Sequence, residues 1–358
     1  MSGASPSDPP DAAERTRLRR PQGGAITVRD VAAAAGVSVA TVSRVLNGKA
    51  SVAASLRDTV QQAVLRLNFT PHAAAKALAS QRFMTVGAIV PTLEDPNFAT
   101  GVAALQRRLN QSGYTLLLAS SNYGADEELR QVQAMAAQGI AGLMMVGARH
   151  APGVYATLQA QGIPFINTWV LDQDHPCVGF DNRAIGRAVA HYLLDLGHTE
   201  FGVIAQHSPN SDRAENRIAG IREALTSRGI ELQQERLIER SHKIVDGQLA
   251  LRTMLESQRR PTAVICGTDT LAFGALVEAH ASGLRVPQDL SITGINDAEF
   301  AAHLTPPLTT IRLPAEEIGS RAAEYLMGRI DGQVVVNRTA LQFSLIVRES
   351  TTRMASPT

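Results

Sequence analysis

The side chains best suited to chemistry lie near the N-terminus. Thr41, Ser43, Arg44 and Asn47 fall on one short predicted helix and point away from Val31, Ala35, Val37, Val42 and Val45, whose spacing lets two short helices pack. Two carry hydroxyls and one an amide, while the fourth is a guanidinium fork that can serve two acceptors at once. They sit in a basic stretch. Between Ala25 and Arg82, the residues Arg29, Arg44, Lys49, Arg57, Arg66, Lys76 and Arg82 face only Asp30 and Asp58, a local charge of +5. Residues 1–24 carry +1 and the whole chain only +1, so residues 83–358 carry −5. A small basic module joined to a larger acidic one implies a polyanionic partner for the first.

Other chemistries lack their motifs. The chain contains no Gly-x-Gly-x-x-Gly, no phosphate-binding loop of the Walker type and no Gly-x-Ser-x-Gly nucleophile turn. His191 and His198 stand seven apart without an acidic third ligand nearby, which does not make a zinc site. No cofactor and no metal is expected. The two cysteines, Cys177 and Cys266, fall in different predicted elements and read as core packing in a reducing compartment. No apolar run nears the roughly 20 residues of a membrane helix, and residues 1–24 lack the apolar core of a signal peptide. A cytoplasmic protein without membrane contact is expected.

Residues 1–24 mix Pro, Ser, Asp, Ala and Arg without periodicity and read as a disordered extension, its Arg15, Arg17, Arg19 and Arg20 a solvated cluster, with contact to phosphates the alternative. From Thr27 the pattern sharpens. Thr27 and Asp30 form the start signal of a helix that Gly36 ends, Ser38 caps a second, and Ala54–Leu67 forms a third through Leu56, Val60, Ala63, Val64 and Leu67. Residues 25–70 thus predict an all-α helix-turn-helix module. The alanine-rich segment HAAAKALAS after Pro71 is helix-prone but only two turns long, so it needs a partner to fold. It is assigned, with its flanks, to a linker at 71–82.

Beyond Met84, short apolar runs such as TVGAIV, TLLLAS, GLMMVG, PFINT, CVGF, FGVIA, TAVIC and LSITGIN alternate with helical patterns. That alternation implies parallel sheets covered by helices. About nine strand–helix steps exceed one tidy sheet, so residues 83–358 predict two doubly wound lobes with a ligand cleft beyond the strands' C-terminal ends. The expected division is an N-lobe of about 83–181 with 315–341 and a C-lobe of about 182–311 with 342–350.

The segment ITVRDVAAAAGVSVATVSRVLNGKASV (Ile26–Val52) and the following FTPHAAAKALA closely resemble the headpiece and hinge of lactose-repressor (LacI) family regulators. Later landmarks are VGFDN, GTDTLAFGAL and PPLTTIR, so the resemblance spans essentially 26–350. It implies a helix-turn-helix headpiece on a core like that of periplasmic sugar-binding proteins. It also implies a transcriptional regulator, a repressor for preference, that binds a pseudo-palindromic double-stranded DNA operator as a homodimer under the control of a small-molecule effector. By the same resemblance Val39, Ala40 and Arg44 read bases, and Thr27, Thr41, Ser43 and Asn47 belong to the DNA-binding surface. Ala75 is small where two hinges touch, and Leu78 is the wedge between base pairs unless it is a linker or core residue.

At the other end, Arg217 matches the arginine that relatives aim at ligand hydroxyls or carboxylates, with pairing to a structural carboxylate the competing role. Phe98 and Trp169 each read as a ligand wall, with Trp169 a stacking platform, or as core. Asp269 reads as a ligand residue or a helix cap. Where sugar-binding relatives often carry aspartates, this chain has Trp169 and Asn296. Losing two negative charges beside Arg217, with Arg213 and His207 near, points to a sugar acid or another small carboxylate as effector, with a neutral sugar the alternative. Two rival functions remain at this point: the binding protein of a sugar transporter, which would not need the basic headpiece, and a sugar-processing enzyme, which would need a catalytic constellation.

Overall fold

The structure, a computed structural model, describes residues 26–46, 52–70, 83–206 and 211–354. The chain divides into two compact units, one ending at Arg82 and one beginning at Phe83. The N-terminal extension, Asn47, Ala75, Leu78 and His207 lie outside the described residues.

The first unit holds three helices, α1 (Val28–Ala35), α2 (Val39–Leu46) and α3 (Ala54–Arg66). Asp30 Oδ2 accepts from the Thr27 backbone N–H at 2.8 Å and from its hydroxyl at 2.7 Å, fixing the start of α1. Gly36 ends α1 in the left-handed region at φ +64°. Ser38 Oγ accepts from Thr41 N–H at 3.1 Å and so opens α2. Val31, Ala32, Val42, Val60 and Ala63 bury together under Phe69, a lid that follows α3. The Arg66 guanidinium donates to the Ala34 carbonyl at 3.0 Å, tying α3 to the end of α1.

The second unit contains two six-stranded sheets. The first has strands β1 (Thr85–Val90), β2 (Thr115–Ser120), β3 (Gly142–Val146), β4 (Phe165–Thr168), β5 (Cys177–Gly179) and β11 (Arg338–Ala340), in the order β11-β5-β4-β3-β1-β2, all parallel. The second has β6 (Phe201–Gln206), β7 (Leu237–Arg240), β8 (Ala263–Cys266), β9 (Ser291–Asn296), β10 (Thr309–Arg312) and β12 (Ser344–Ile346), in the order β12-β10-β9-β8-β6-β7. Only β12 runs antiparallel to its neighbour. The chain crosses between the sheets after β5, after β10 and again between β11 and β12.

Helices α4 (Pro96–Gln111), α5 (Ala125–Ala137), α6 (Val154–Ala160) and α11 (Ala315–Ile330) accompany the first sheet, and α7 (Asn182–Asp195), α8 (Asp212–Thr226), α9 (Ile244–Leu255) and α10 (Asp269–Ala281) the second. Three helix pairs touch backbone to backbone through glycine. A Cβ on Gly319 would lie 2.0 Å from the Gly101 carbonyl, one on Gly186 2.0 Å from that of Arg217, and one on Gly274 2.0 Å from that of Ile244. These contacts bring α4 against α11, α7 against α8, and α9 against α10 closer than any side chain would permit. Cys177 and Cys266 are buried and free. No described helix is long and apolar enough to cross a membrane.

Candidate functional site

A cleft of about 570 Å³, counting its open mouth, lies between the two sheets of the core. Its walls include Asp95, Asn97, Phe98, Trp169, Arg213 and Arg217. Each arrives there for a local reason. Asp95 is the N-cap of α4, its Oδ1 accepting from Asn97 N–H at 2.9 Å while Pro96 takes the first helical position, where no N–H is needed. Ser211 caps α8, and the first two turns of that helix carry Arg213 and Arg217.

Arg217 is held by two bonds: its Nε donates to Asn182 Oδ1 at 3.0 Å and a terminal nitrogen to the Gly267 carbonyl at 3.3 Å. Burial lowers its guanidinium to about 10, with Arg213 pushing the same way and Asp95 opposing, so it stays charged at neutral pH. Arg213 is buried, pairs with Asp212 at 3.1 Å and hangs 6.0 Å over the Phe98 ring. Asp95 is the one carboxylate among the described lining residues, and burial raises it above the ordinary aspartate range against the pull of Asn97 N–H and Arg217. Asn296 crosses the cleft to donate to Asp95 Oδ1 at 3.2 Å.

Phe98 and Trp169 meet edge to face, their centroids 5.2 Å apart, and Trp169 is fully buried. Further polar contacts link the lobes around the cleft. Arg149 pairs with Glu215 through bonds of 2.7 and 2.6 Å, Ala148 N–H donates to Asp212 at 2.7 Å, His242 meets Glu94 at 2.7 Å, and Gln206 donates to the Tyr123 hydroxyl at 2.6 Å.

The structure thus brings Phe98, Trp169, Arg217 and Asn296 to one cavity and leaves out Asp269. That carboxylate opens α10 while Thr268 caps it, and it is spent elsewhere, accepting from Thr310 Oγ1 at 2.6 Å and Ala298 N–H at 2.7 Å. Asp269 therefore neither caps the helix nor lines the cleft, because both its oxygens brace the segments that follow β9. Sequence reasoning missed Asp95, Asn97 and Asn182. Asp95 carried a usable signal, an aspartate directly before Pro-Asn at a helix start; Asn182 sat in the VGFDN landmark without a role.

In the first unit, α2 presents Val39, Ala40 and Arg44 as exposed side chains. Thr41 is half-buried and its hydroxyl shares a 2.9 Å hydrogen bond with Ser38, and Ser43 is half-buried beside it. Thr27 is exposed and committed to Asp30. The result is an exposed guanidinium flanked by small apolar side chains, on a helix packed against two others through Val42.

A three-helix headpiece of this kind before a two-lobed α/β core with a polar cleft defines a ligand-responsive DNA-binding regulator, and known proteins agree. Residues 27–72 match the family described as bacterial regulatory proteins, lacI family, and residues 190–351 the periplasmic binding protein-like domain. The ribose operon repressor of Haemophilus influenzae is 32% identical over 90% of this chain and 98% of its own length. The HTH-type transcriptional repressor PurR of Erwinia tasmaniensis is 32% identical over 90% of this chain and 96% of its own. A lac repressor dimer solved with operator and the anti-inducer ONPF superposes with a TM-score of 0.81 at 29% identity, covering 92% of this chain and all of that one. The chain belongs to the LacI family of bacterial regulatory proteins: it is a DNA-binding transcriptional regulator with a small-molecule-binding core, and not an enzyme.

Proposed function

We propose that this regulator is a cytoplasmic repressor that grips a near-palindromic operator as a homodimer and changes its grip when a small anion, a sugar acid for preference, binds between the core lobes. The observation that carries the effector reading is the charge of the cleft. Arg213 and Arg217 line it with Asp95 as the one carboxylate among the described lining residues, and Asp212 pairs with Arg213 at its edge, which leaves Arg217 as the guanidinium best placed to meet an anion. Arg217 offers the planar fork that suits a carboxylate. Phe98 and Trp169 form the apolar wall, and Asn296 holds Asp95 in place.

On the DNA side, α2 enters the major groove. Arg44 makes the paired hydrogen bonds that guanine O6 and N7 accept, Val39 and Ala40 offer apolar contact to a thymine methyl, and Thr27, Thr41, Ser43 and Asn47 lie toward phosphates. Two headpieces read two half-sites. Ala75 lets the paired hinges approach and Leu78 wedges the step between them. Calorimetry against aldonates, uronates and neutral sugars tests the effector class: tight binding of an uncharged sugar with none to acids refutes it. A gel shift on DNA upstream of the protein's own gene, repeated at rising salt, tests the operator reading.

A further inference from the structure

We infer that Trp169 and Asn97 form a hydroxyl-reading subsite in the cleft, which selects a hydroxylated carboxylate over a plain one; the inference rests on the reading of the cleft as an anion site. The indole N–H of Trp169 and Oδ1 of Asn97 are sealed from solvent, and neither has a hydrogen-bond partner. Among the described residues only one other buried side-chain atom, Thr293 Oγ1, shares that condition, and Thr293 does not line the cleft. A buried polar group left unpaired is costly, and both residues line the same cavity, so a group that enters it and pairs both atoms recovers that cost.

The indole is held in position rather than left loose. Trp169 sits in the left-handed backbone region at φ +61°, a strained conformation for a bulky residue. Its carbonyl accepts from Asn182 Nδ2 at 2.9 Å, the same asparagine that anchors Arg217. Gly101 makes room for the ring, since a Cβ there would lie 2.5 Å from its Cη2. Phe98 packs against the indole at 79° and the residue is fully buried, so Trp169 offers no open face for a ligand to stack on.

The two orphan atoms are complementary: one is a donor without an acceptor and the other an acceptor without a donor. A hydroxyl is both, its oxygen accepting from Trp169 Nε1 and its proton passing toward Asn97 Oδ1. With a carboxylate at Arg213 and Arg217, the ligand class that satisfies every group is a small hydroxy acid. A plain carboxylate meets the arginines and leaves both orphans unpaired, and a site built to pair a hydroxyl rejects the analogue that lacks it.

The test uses the full-length protein labelled with ¹⁵N-tryptophan, whose single tryptophan gives one indole resonance. The probes are D-gluconate, D-galactonate and D-glucuronate as hydroxy acids, with hexanoate as the plain acid. A hydroxy acid is expected to move the indole N–H downfield and to bind Trp169→Phe about tenfold to a hundredfold more weakly than wild type, hexanoate being little affected. Asn97→Ala is expected to narrow the same preference. A hydroxy acid that binds without moving the resonance, hexanoate binding as tightly as the hydroxy acids, or equal weakening of both classes by Trp169→Phe overturns the subsite and leaves the anion reading standing. No binding of any acid to the wild type overturns both.

Discussion

Gly186→Ala tests whether the packing of two helices sets the position of Arg217, the arginine proposed to meet the effector. Gly186 on α7 lies against α8 so closely that an added Cβ would sit 2.0 Å from the Arg217 carbonyl oxygen and 3.0 Å from Ile221 N. Real Cβ contacts essentially never fall under 3.0 Å, so the helices must part by about 1 Å at that point. Overpacking of this kind costs about 1–3 kcal/mol of core stability. The same two helices carry the bond that aims Arg217, from its Nε to Asn182 Oδ1 at 3.0 Å. A bond stretched by about 1 Å passes beyond hydrogen-bonding range. Loss of a hydrogen bond to a charged group costs about 1.5–3 kcal/mol, and where the bound effector requires Arg217 back in that position the cost of restoring it falls on binding, up to about tenfold to a hundredfold in affinity. The headpiece keeps its own core of Val31, Val42 and Val60 and is untouched. In a fluorescence-anisotropy titration of labelled operator, the Gly186→Ala protein is therefore expected to bind DNA as wild type does without effector, while the effector dose–response midpoint shifts about tenfold to a hundredfold. A variant with wild-type melting and a wild-type midpoint refutes the reasoning.

Leu78→Ala is expected to lower affinity for specific operator far more than for random DNA, read by competition gel shift; equal losses on both remove the wedge assignment. Asp269, raised from 3.8 to about 6 by burial, binds its proton more tightly folded than unfolded, so its contribution falls as pH rises from about 4 to about 6, by about 3 kcal/mol in all. Urea unfolding across that window should show Asp269→Asn gaining on the wild type as pH rises, and a constant difference between the two would contradict it. The exposed Arg149–Glu215 pair joins the lobes, and such pairs contribute about 0–1 kcal/mol, so Glu215→Gln should weaken effector binding by no more than about fivefold. The swap Arg149→Glu with Glu215→Arg should restore it in calorimetry, and a swap that behaves like the single variant argues against the contact.

Much of the architecture was legible because it is written in local patterns. The Thr27–Asp30 start and Gly36 stop mark α1 through backbone groups that need partners, and apolar runs such as TVGAIV and TAVIC mark strands covered on both sides. Arg217 and Phe98 were placed beside the cleft by the family resemblance and not by any local pattern, and Phe98 packs into the core as well as lining the cleft. The strand β11 was not legible, because Arg338–Ala340 has no apolar run and is a strand only through its pairing with Cys177–Gly179. Asp269 misled because a carboxylate at a helix start looks alike whether it faces a ligand or, as here, Thr310 across the fold. The glycine contacts between helices and the unpaired atoms of Trp169 and Asn97 depend on distances between segments far apart in the chain, which no local pattern encodes.

The exposed face of α2 also bears on why the core must matter to DNA recognition. Val39 and Ala40 have no hydrogen-bonding side chain, so in the proposed docking each can distinguish bases only by apolar contact, and Arg44 is left as the one strong reader. A bidentate guanine contact discriminates by about 1–3 kcal/mol, while specific and nonspecific binding typically differ by about 4–10 kcal/mol. Two copies of Arg44 in a dimer fall short of the upper part of that range. The remainder has to come from half-site spacing and from the deformation of the step between hinges, and both depend on how the two cores are held. In the proposed docking, a headpiece with so few base contacts depends on how the two cores hold it in register, and an effector that shifts the lobes as whole bodies acts on that register, whereas a local shift between two helices of one lobe does not.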